Sequence, residues 1–294
     1  MAGFRTLVIN KRCKLESRLG YLVIRSTNET RVHISEIENL VLESTAIAIT
    51  TSLLSDLSQA GVNIIFCDSF HLPISAVIPL SLNYNLSSNI QKQILWNKSI
   101  KENCWMMIVK DKIRHQAFVL NHVNRKQCVS RLLELSDLVQ PGDSNNHEGL
   151  AARLYFREVF GCDFSRDDST KLENKMLNYG YSILMATVSR EIAASGYLNA
   201  IGIWHKRADN PYNFACDLME PFRPLIDYMV YSIPVVEEDN FKHYLLRFFD
   251  QKVLIDGNLL TVVYALRCYI RRVISFLNSD CSELCDLQYV IEDL

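Results

Sequence analysis

The chain has 294 residues, 49% of them hydrophobic and 22% charged, with a formal net charge of −2. Those proportions suit a globular protein with a full core and exclude disorder as the default. The near-zero net charge gives no global sign of nucleic-acid binding, so any attraction for phosphate has to come from local clusters of Lys and Arg. Nine cysteines, an odd number without a Cys-x-x-Cys pair, are expected as reduced thiols. Cys281 and Cys285 lie nearest in sequence but have no second pair to complete a zinc pattern. The opening Met-Ala-Gly-Phe-Arg-Thr lacks the form of a signal peptide. Charged residues interrupt every apolar run before it reaches the roughly 20 residues of a membrane span. The expectation is a soluble, cytoplasmic protein with no membrane partner.

Short segments rich in β-branched residues come first, at 7–9, 21–24, 31–34 and 62–66, parted by turn-prone runs such as Ser26-Thr-Asn-Glu-Thr30. One stretch differs. Within 44–60, Ile49, Leu53, Leu54 and Leu57 approximate helical spacing, and Gly61 can supply a left-handed stop. Beyond Pro79 the sequence turns to Ser, Leu and Asn, and then reads as helix at 89–110, 113–135, 146–160, 170–195, 213–233, 240–249 and 259–277. Gly161 and Gly196 are plausible terminators there. The fold class is therefore α+β. A small β-rich domain with one helix spans 1–80, a linker 81–88, and a larger all-helical domain 89–294, ending in a mobile acidic tail.

Chemistry concentrates in the second part. Asp217 and Glu220 stand at i, i+3, which puts both carboxylates on one helix face, where a cation or an arginine is expected near them. Pro221 and Pro224 disfavour a straight helix through Glu220 and Arg223, so a bend is predicted at the carboxylates. Arg223 suits either a carboxylate partner or a phosphate. Glu148 lies in the first turn of a predicted helix, as a dipole-compensating charge or as a ligand. His147 beside it points about 100° away on a helix, so the two do not reach one ion together. His205 precedes Lys206 and Arg207, as a connecting residue or a third ligand. His33, His71, His115, His122 and His243 lack a carboxylate-rich context and are read as structural.

From 92 to 131, Lys92, Lys98, Lys101, Lys110, Lys112, Arg114, Arg125, Lys126 and Arg131 face only Glu102 and Asp111. With Trp96 and Trp105 interleaved, this is either a backbone-tracking nucleic-acid surface or a solvated face over core tryptophans. Lys206, Arg207 and Arg223 are further phosphate candidates. Glycine-rich phosphate loops, a nucleophile elbow and a zincin motif are absent, which removes the common nucleotide-hydrolysing and acyl-transfer chemistries.

Three segments resemble the CRISPR-associated integrase family, the "Cas-one" subunit of spacer acquisition. They are Asn146-His-Glu148-Gly-Leu-Ala-Ala-Arg153-Leu-Tyr-Phe156, Gly202-Ile-Trp-His205 and Asp217-Leu-Met-Glu220-Pro-Phe-Arg-Pro224. Arg5-Thr-Leu-Val-Ile-Asn10 and Ser35-Glu-Ile-Glu38 also fit, and the Met-Glu-Pro-Phe-Arg-Pro form is most similar to the type II branch. The resemblance implies Mg²⁺ or Mn²⁺ held by Glu148, His205 and Glu220, with Asp217 auxiliary. It implies attack of a fragment 3′-hydroxyl on a phosphodiester at the repeat boundary of a CRISPR array, or DNA cleavage when water attacks. The implied partners are double-stranded DNA, a second copy of the chain joined through the β-rich domain, and a small ferredoxin-like "Cas-two" subunit between two integrase dimers. The type II effector nuclease and an accessory DNA-end-binding protein are further partners of that branch. Rival readings of the same residues are a non-catalytic DNA-binding scaffold and a stand-alone metal-dependent nuclease.

Overall fold

The computed structural model describes residues 5–69, 73–77, 85–234 and 240–290. The chain divides into two units, residues 1–84 and 85–294. His71, residues 81–84 of the expected linker and residues 291–294 of the expected tail lie outside the described residues.

Within the first unit the described strands are β1 (Arg5–Ile9), β2 (Cys13–Arg18), β3 (Tyr21–Arg25), β4 (Glu29–His33), β5 (Ile37–Leu42), β6 (Ile47–Ile49), β7 (Asn63–Cys67) and β8 (Pro73–Ala76). Helix α1 (Thr51–Gln59) joins β6 to β7. They form two sheets, ordered β1-β5-β7-β8 and β4-β3-β2-β6. The hairpin from β2 to β3 turns on Leu19 and Gly20, both at positive φ (52° and 79°), the twist-matched two-residue turn. Leu15, Leu22, Leu40 and Ile64 from the strands meet Leu53 and Leu57 of α1 in one core.

Helix α1 starts at Thr51, later than the expected 44, because Ile47 and Ile49 pair with β2 and Thr50 caps the helix by accepting the Leu53 N–H at 3.3 Å. Gly61 ends it at φ 75°, as expected. Strand β5 hides its period behind Asn39, a buried residue whose amide bonds Thr6 and Asn63, each at 3.2 Å.

The second unit is mostly helical, and its helices are α2 (Leu86–Ile94), α3 (Lys98–His122), α4 (Val129–Leu138), α5 (His147–Phe160), α6 (Leu172–Ala194), α7 (Asn213–Met219), α8 (Arg223–Tyr231), α9 (Phe241–Leu246) and α10 (Val262–Leu277). It is not all-helical. Strands β9 (Lys252–Ile255), β10 (Asn258–Thr261) and β11 (Leu287–Tyr289) form an antiparallel sheet ordered β10-β9-β11. Asp256 and Gly257 make its two-residue turn at φ 49° and 76°, and the Asp-Gly pair is the sequence signal for that hairpin.

Helix α3 is the axis on which the site is built. It runs 25 residues, about 37 Å at 1.5 Å per residue. The expected break at Lys110-Asp-Lys112 is absent, and these charges lie in mid-helix. The breaks fall instead at Asn97, which caps α3 by accepting the Ser99 N–H at 2.8 Å, and around Asn124 at φ 57°. Trp105, Ile108, Val109, Ile113, Ala117 and Leu120 are buried along it, and α4, α5, α8 and α10 pack around it. Helices α6 and α8 cross at Gly180, where a Cβ would stand 2.5 Å from Ile226 Cγ2, so only glycine permits the approach. All nine cysteines are thiols outside any disulfide, as expected. Among the described residues no helix is long and apolar enough to cross a membrane.

Candidate active site

The first acidic wall is set by the cap of α5. Asp143 accepts the backbone N–H groups of His147 at 2.9 Å and Glu148 at 3.0 Å, and Asn146, left-handed at φ 53°, accepts that of Gly149 at 3.3 Å. These bonds satisfy amides that the first helical turn cannot. They also fix the direction in which Glu148 leaves the helix. Its Oε1 lies 2.6 Å from Lys112 Nζ, which rises from the middle of α3. His147 stays away from that point, 3.7 Å from Asp143 through Nδ1.

The second wall is the predicted bend. Helix α7 stops at Met219, Glu220-Pro-Phe222 tightens into a 3₁₀ turn, and α8 restarts at Arg223. Pro221 contributes no N–H and Pro224 sits in the first turn of α8, where proline is tolerated. The freed Pro221 carbonyl is clamped from two elements. Tyr289 of β11 donates its hydroxyl at 2.5 Å, and His115 Nδ1 of α3 lies 2.8 Å away. The other nitrogen of His115 is 2.8 Å from the Leu287 carbonyl, and the ring stacks on Tyr289 at 4.2 Å. Burial holds the His115 pKa below its usual value, against those carbonyl contacts.

Glu220 is thereby aimed at α3. Its Oε2 is 2.6 Å from Lys112 Nζ, and its Oε1 accepts from Arg223 Nε at 2.9 Å. The ammonium lies off the direction of an aligned hydrogen bond, so this buried oxygen is held by charge rather than by a fixed donor. Burial works to raise the carboxyl pKa, but the Arg223 and Lys112 charges outweigh it and keep Glu220 below the ordinary glutamate range. Burial likewise opposes the Lys112 ammonium, and Glu220 and Glu148 overcome it, so its pKa is raised.

Asp217, expected as an auxiliary ligand, has another occupation. Its Oδ2 accepts the backbone N–H groups of Ile203 at 2.5 Å and Trp204 at 3.1 Å, and its Oδ1 those of His205 at 3.0 Å and His205 Nδ1 at 2.7 Å. Four donors fill its four acceptor sites. The i, i+3 pair thus divides, with Glu220 facing α3 and Asp217 facing the 201–205 loop. Gly202 makes that wrap possible, since a Cβ there would lie 2.7 Å from Asp217 Oδ2 and 2.5 Å from the His205 carbonyl. The bond from Asp217 raises the His205 pKa, against partial burial. Because the carboxylate accepts from Nδ1, the neutral ring presents Nε2 as a free acceptor.

Glu148 and Glu220 are therefore brought together on one ammonium, and His205 is near enough to feel both charges. Among the described residues no three His, Cys, Asp or Glu side chains meet at a single point. Two hard carboxylate oxygens, one without an aligned donor, beside an imidazole with a free Nε2, fit a Mg²⁺- or Mn²⁺-type ion once Lys112 yields. In the sequence Lys112 is one of a basic run. Its place between the carboxylates depends on the straight course of α3, which the pattern did not reveal.

The other basic residues separate by environment. Lys101, Lys206 and Arg207 line a cleft of about 770 Å³ with His205. Burial and the Lys206 charge lower the Lys101 pKa. Lys92 and Arg125 are exposed, Lys98 pairs with Glu102 at 3.5 Å, and Arg114 reaches Asp137 at 3.7 Å. Arg223 takes the carboxylate option, with its guanidinium 4.6 Å above the Tyr181 ring. Trp96 and Trp105 are core residues and offer no platform for bases. The exposed tryptophan is Trp204, stacked on Trp105 at 5.8 Å next to His205.

A family model described as CRISPR associated protein Cas1 matches residues 6–244. The CRISPR-associated endonuclease Cas1 of Neisseria meningitidis is 34% identical over 228 residues, 77% of this chain and 75% of its own length. In fold the chain is similar to a casposase bound to integration product, with a TM-score of 0.78 at 19% identity over 95% of this chain and 92% of the other. It is also similar to a chain of a partial Cas6-RT-Cas1–Cas2 complex, with a TM-score of 0.65 at 17% identity over 99% of each.

Proposed function

The chain belongs to the CRISPR-associated Cas1 family, and on that premise we propose that it is a DNA integrase and endonuclease that inserts new spacers into a CRISPR array. The observation that carries this reading is the meeting of Glu148 and Glu220, from separate elements, at one buried cationic point beside His205. In this reading Glu148, Glu220 and His205 Nε2 hold Mg²⁺ or Mn²⁺, and Asp217 orients the imidazole. The bound ion supplies Lewis-acid polarisation of the scissile phosphate.

The chain's own groups do the rest. Asp217 and the 203–205 amides keep the ring fixed, so no reorganisation is needed when DNA arrives. The clamped Pro221 carbonyl holds the bend that aims Glu220. Lys101, Lys206 and Arg207 flank His205 and take the phosphodiester backbone without reading bases. Lys92, Lys98, Arg114 and Arg125 extend the path along the second unit. The reaction is attack of a fragment 3′-hydroxyl on a phosphodiester at the repeat boundary. The new P–O bond replaces the P–O bond to the adjoining array nucleotide, whose oxygen leaves as a hydroxyl with the proton balance of the one consumed, so no protein nucleophile is required.

Two structural neighbours, a casposase bound to integration product and a chain of a partial Cas6-RT-Cas1–Cas2 complex, support DNA and a Cas2 subunit as partners. The assembly follows the family: dimers formed through the first unit, two of them flanking a central Cas2 dimer, in the cytoplasm. The type II branch adds the effector nuclease and an accessory DNA-end-binding protein. In an assay with a 3′-hydroxyl fragment, supercoiled array DNA, Cas2 and Mn²⁺, Glu220→Ala is expected to lower strand transfer at least a hundredfold while duplex binding stays within about twofold. Wild-type integration by that variant would overturn the assignment.

A further inference from the structure

Lys112 takes no part in that chemistry, yet it is the group that both acidic walls share. Its side chain is 12% exposed, and its Nζ is 2.6 Å from Glu148 Oε1 and 2.6 Å from Glu220 Oε2. The two carboxylates keep it charged in spite of burial. An ammonium and a divalent cation cannot both occupy the space between these oxygens, because like charges so close in a poorly solvated site repel strongly.

The lysine has somewhere else to go. A cavity of about 130 Å³ opens beside it, lined by Lys112, Gln116, Tyr181, Glu220 and Asp227 among others. Asp227 is 1% exposed and accepts the Tyr181 hydroxyl. Its carboxylate already feels the Lys112 charge. Because Lys112 and Asp227 line the same cavity, the long, flexible ammonium stem can exchange one buried carboxylate partner for another by rotating about its own bonds.

We propose that Lys112 is a built-in competitor for the metal, an ammonium that leaves the Glu148–Glu220 pair for Asp227 when a divalent ion binds. This rests on the metal reading of the site and adds a cost to loading it. The carboxylates stay neutralised without an ion, so the site does not need one to fold, and occupancy becomes a balance between lysine and metal.

Mn²⁺ titrations at pH 8, followed by electron paramagnetic resonance and by the rise in Tm, test the exchange without an activity readout. Lys112→Met is expected to bind Mn²⁺ at least tenfold more tightly than wild type, and to show a larger Mn²⁺-induced rise in Tm. Asp227→Asn, which keeps the lysine but removes the charge that receives it, is expected to bind at least fivefold more weakly. Lys112→Met binding no more tightly than wild type, or Asp227→Asn binding as wild type, would overturn the exchange. If Lys112→Met does not fold, Asp227→Asn decides alone. Glu148→Gln keeps the two failures apart: undiminished Mn²⁺ binding by that variant would sink the metal reading itself, whereas its loss beside unaltered lysine and aspartate variants would sink only the exchange.

Discussion

Asp217 and Glu220 stand three residues apart, both are buried, and their surroundings have little in common. Asp217 is held by three backbone N–H groups and one imidazole of the 203–205 loop. Glu220 is held by the mobile ends of Lys112 and Arg223. Backbone donors stay where the fold puts them, so a carboxylate they surround is part of the scaffold. Side-chain cations can move, so a carboxylate they surround can change partner. The same spacing therefore serves rigidity on one side of the site and exchange on the other.

The sharpest test of that division is stability. Asp217→Ala leaves three N–H groups without their acceptor, that of Ile203 buried and those of Trp204 and His205 partly so, and is expected to cost about 3–5 kcal/mol in urea unfolding. Glu220→Ala is expected to cost less, about 1–3 kcal/mol, because Lys112 keeps Glu148. Equal losses would remove the distinction. Gly202→Ala should resemble Asp217→Ala, since its new methyl meets a backbone carbonyl that cannot turn aside. A fully stable Gly202→Ala protein would show that the loop does not depend on the wrap.

The prolines made the bend at Glu220 legible in sequence, because a missing N–H and a fixed φ act locally whatever surrounds them. Glu148, His205 and Glu220 stood out in the sequence through motifs that resemble the family's, and the fold brings both glutamates to one ammonium whose neighbouring imidazole feels their charges. The different role of Asp217 was not legible, since its partners are amides of a loop twelve to fourteen residues away, and an amide leaves no trace in a sequence. Lys112 was lost in a basic run for a related reason. A charge in mid-helix reads as solvated until the elements that cover it are known. The small sheet of β9, β10 and β11 was missed although Asp256-Gly257 signalled its turn, because the apolar residues after it also fit a helix. That sheet supplies Tyr289, which clamps the bend, and it lies beyond the 6–244 segment matched by the family model.

A middle-sized effect concerns Asp227, the buried acid behind Glu220. Burial raises its pKa from 3.8 to about 6, against the Tyr181 hydroxyl and the Arg223 charge. The folded protein thus holds a proton that the unfolded chain releases between about pH 4 and 6. Stability from this group is absent above pH 6, grows as the pH falls through 6, and is complete below 4. Its size is on the order of 3 kcal/mol. Asp227→Asn should flatten that part of the stability profile, whereas Glu220, whose pKa is lowered, works in the opposite sense and loses its contribution as the pH falls. An unchanged slope in Asp227→Asn would show that Asp227 is solvated and no part of the exchangeable side.

The smallest effect lies at the rim, where Lys206 and Arg207 are adjacent and both exposed. Arg207 is tied to Asp209 at 2.8 Å, whereas among the described residues no carboxylate lies within ion-pair distance of Lys206. A paired guanidinium has little charge left for phosphate, and a free ammonium has all of it. Lys206→Ala should therefore lower the slope of log Kd against log salt for duplex DNA by about 0.9, the value for one phosphate contact, while Arg207→Ala lowers it by less. Neither change should move the Tm, because neither side chain holds part of the scaffold. A larger salt effect from Arg207→Ala would mean that DNA takes the arginine from Asp209, which would extend partner exchange from the buried wall of the site to its edge.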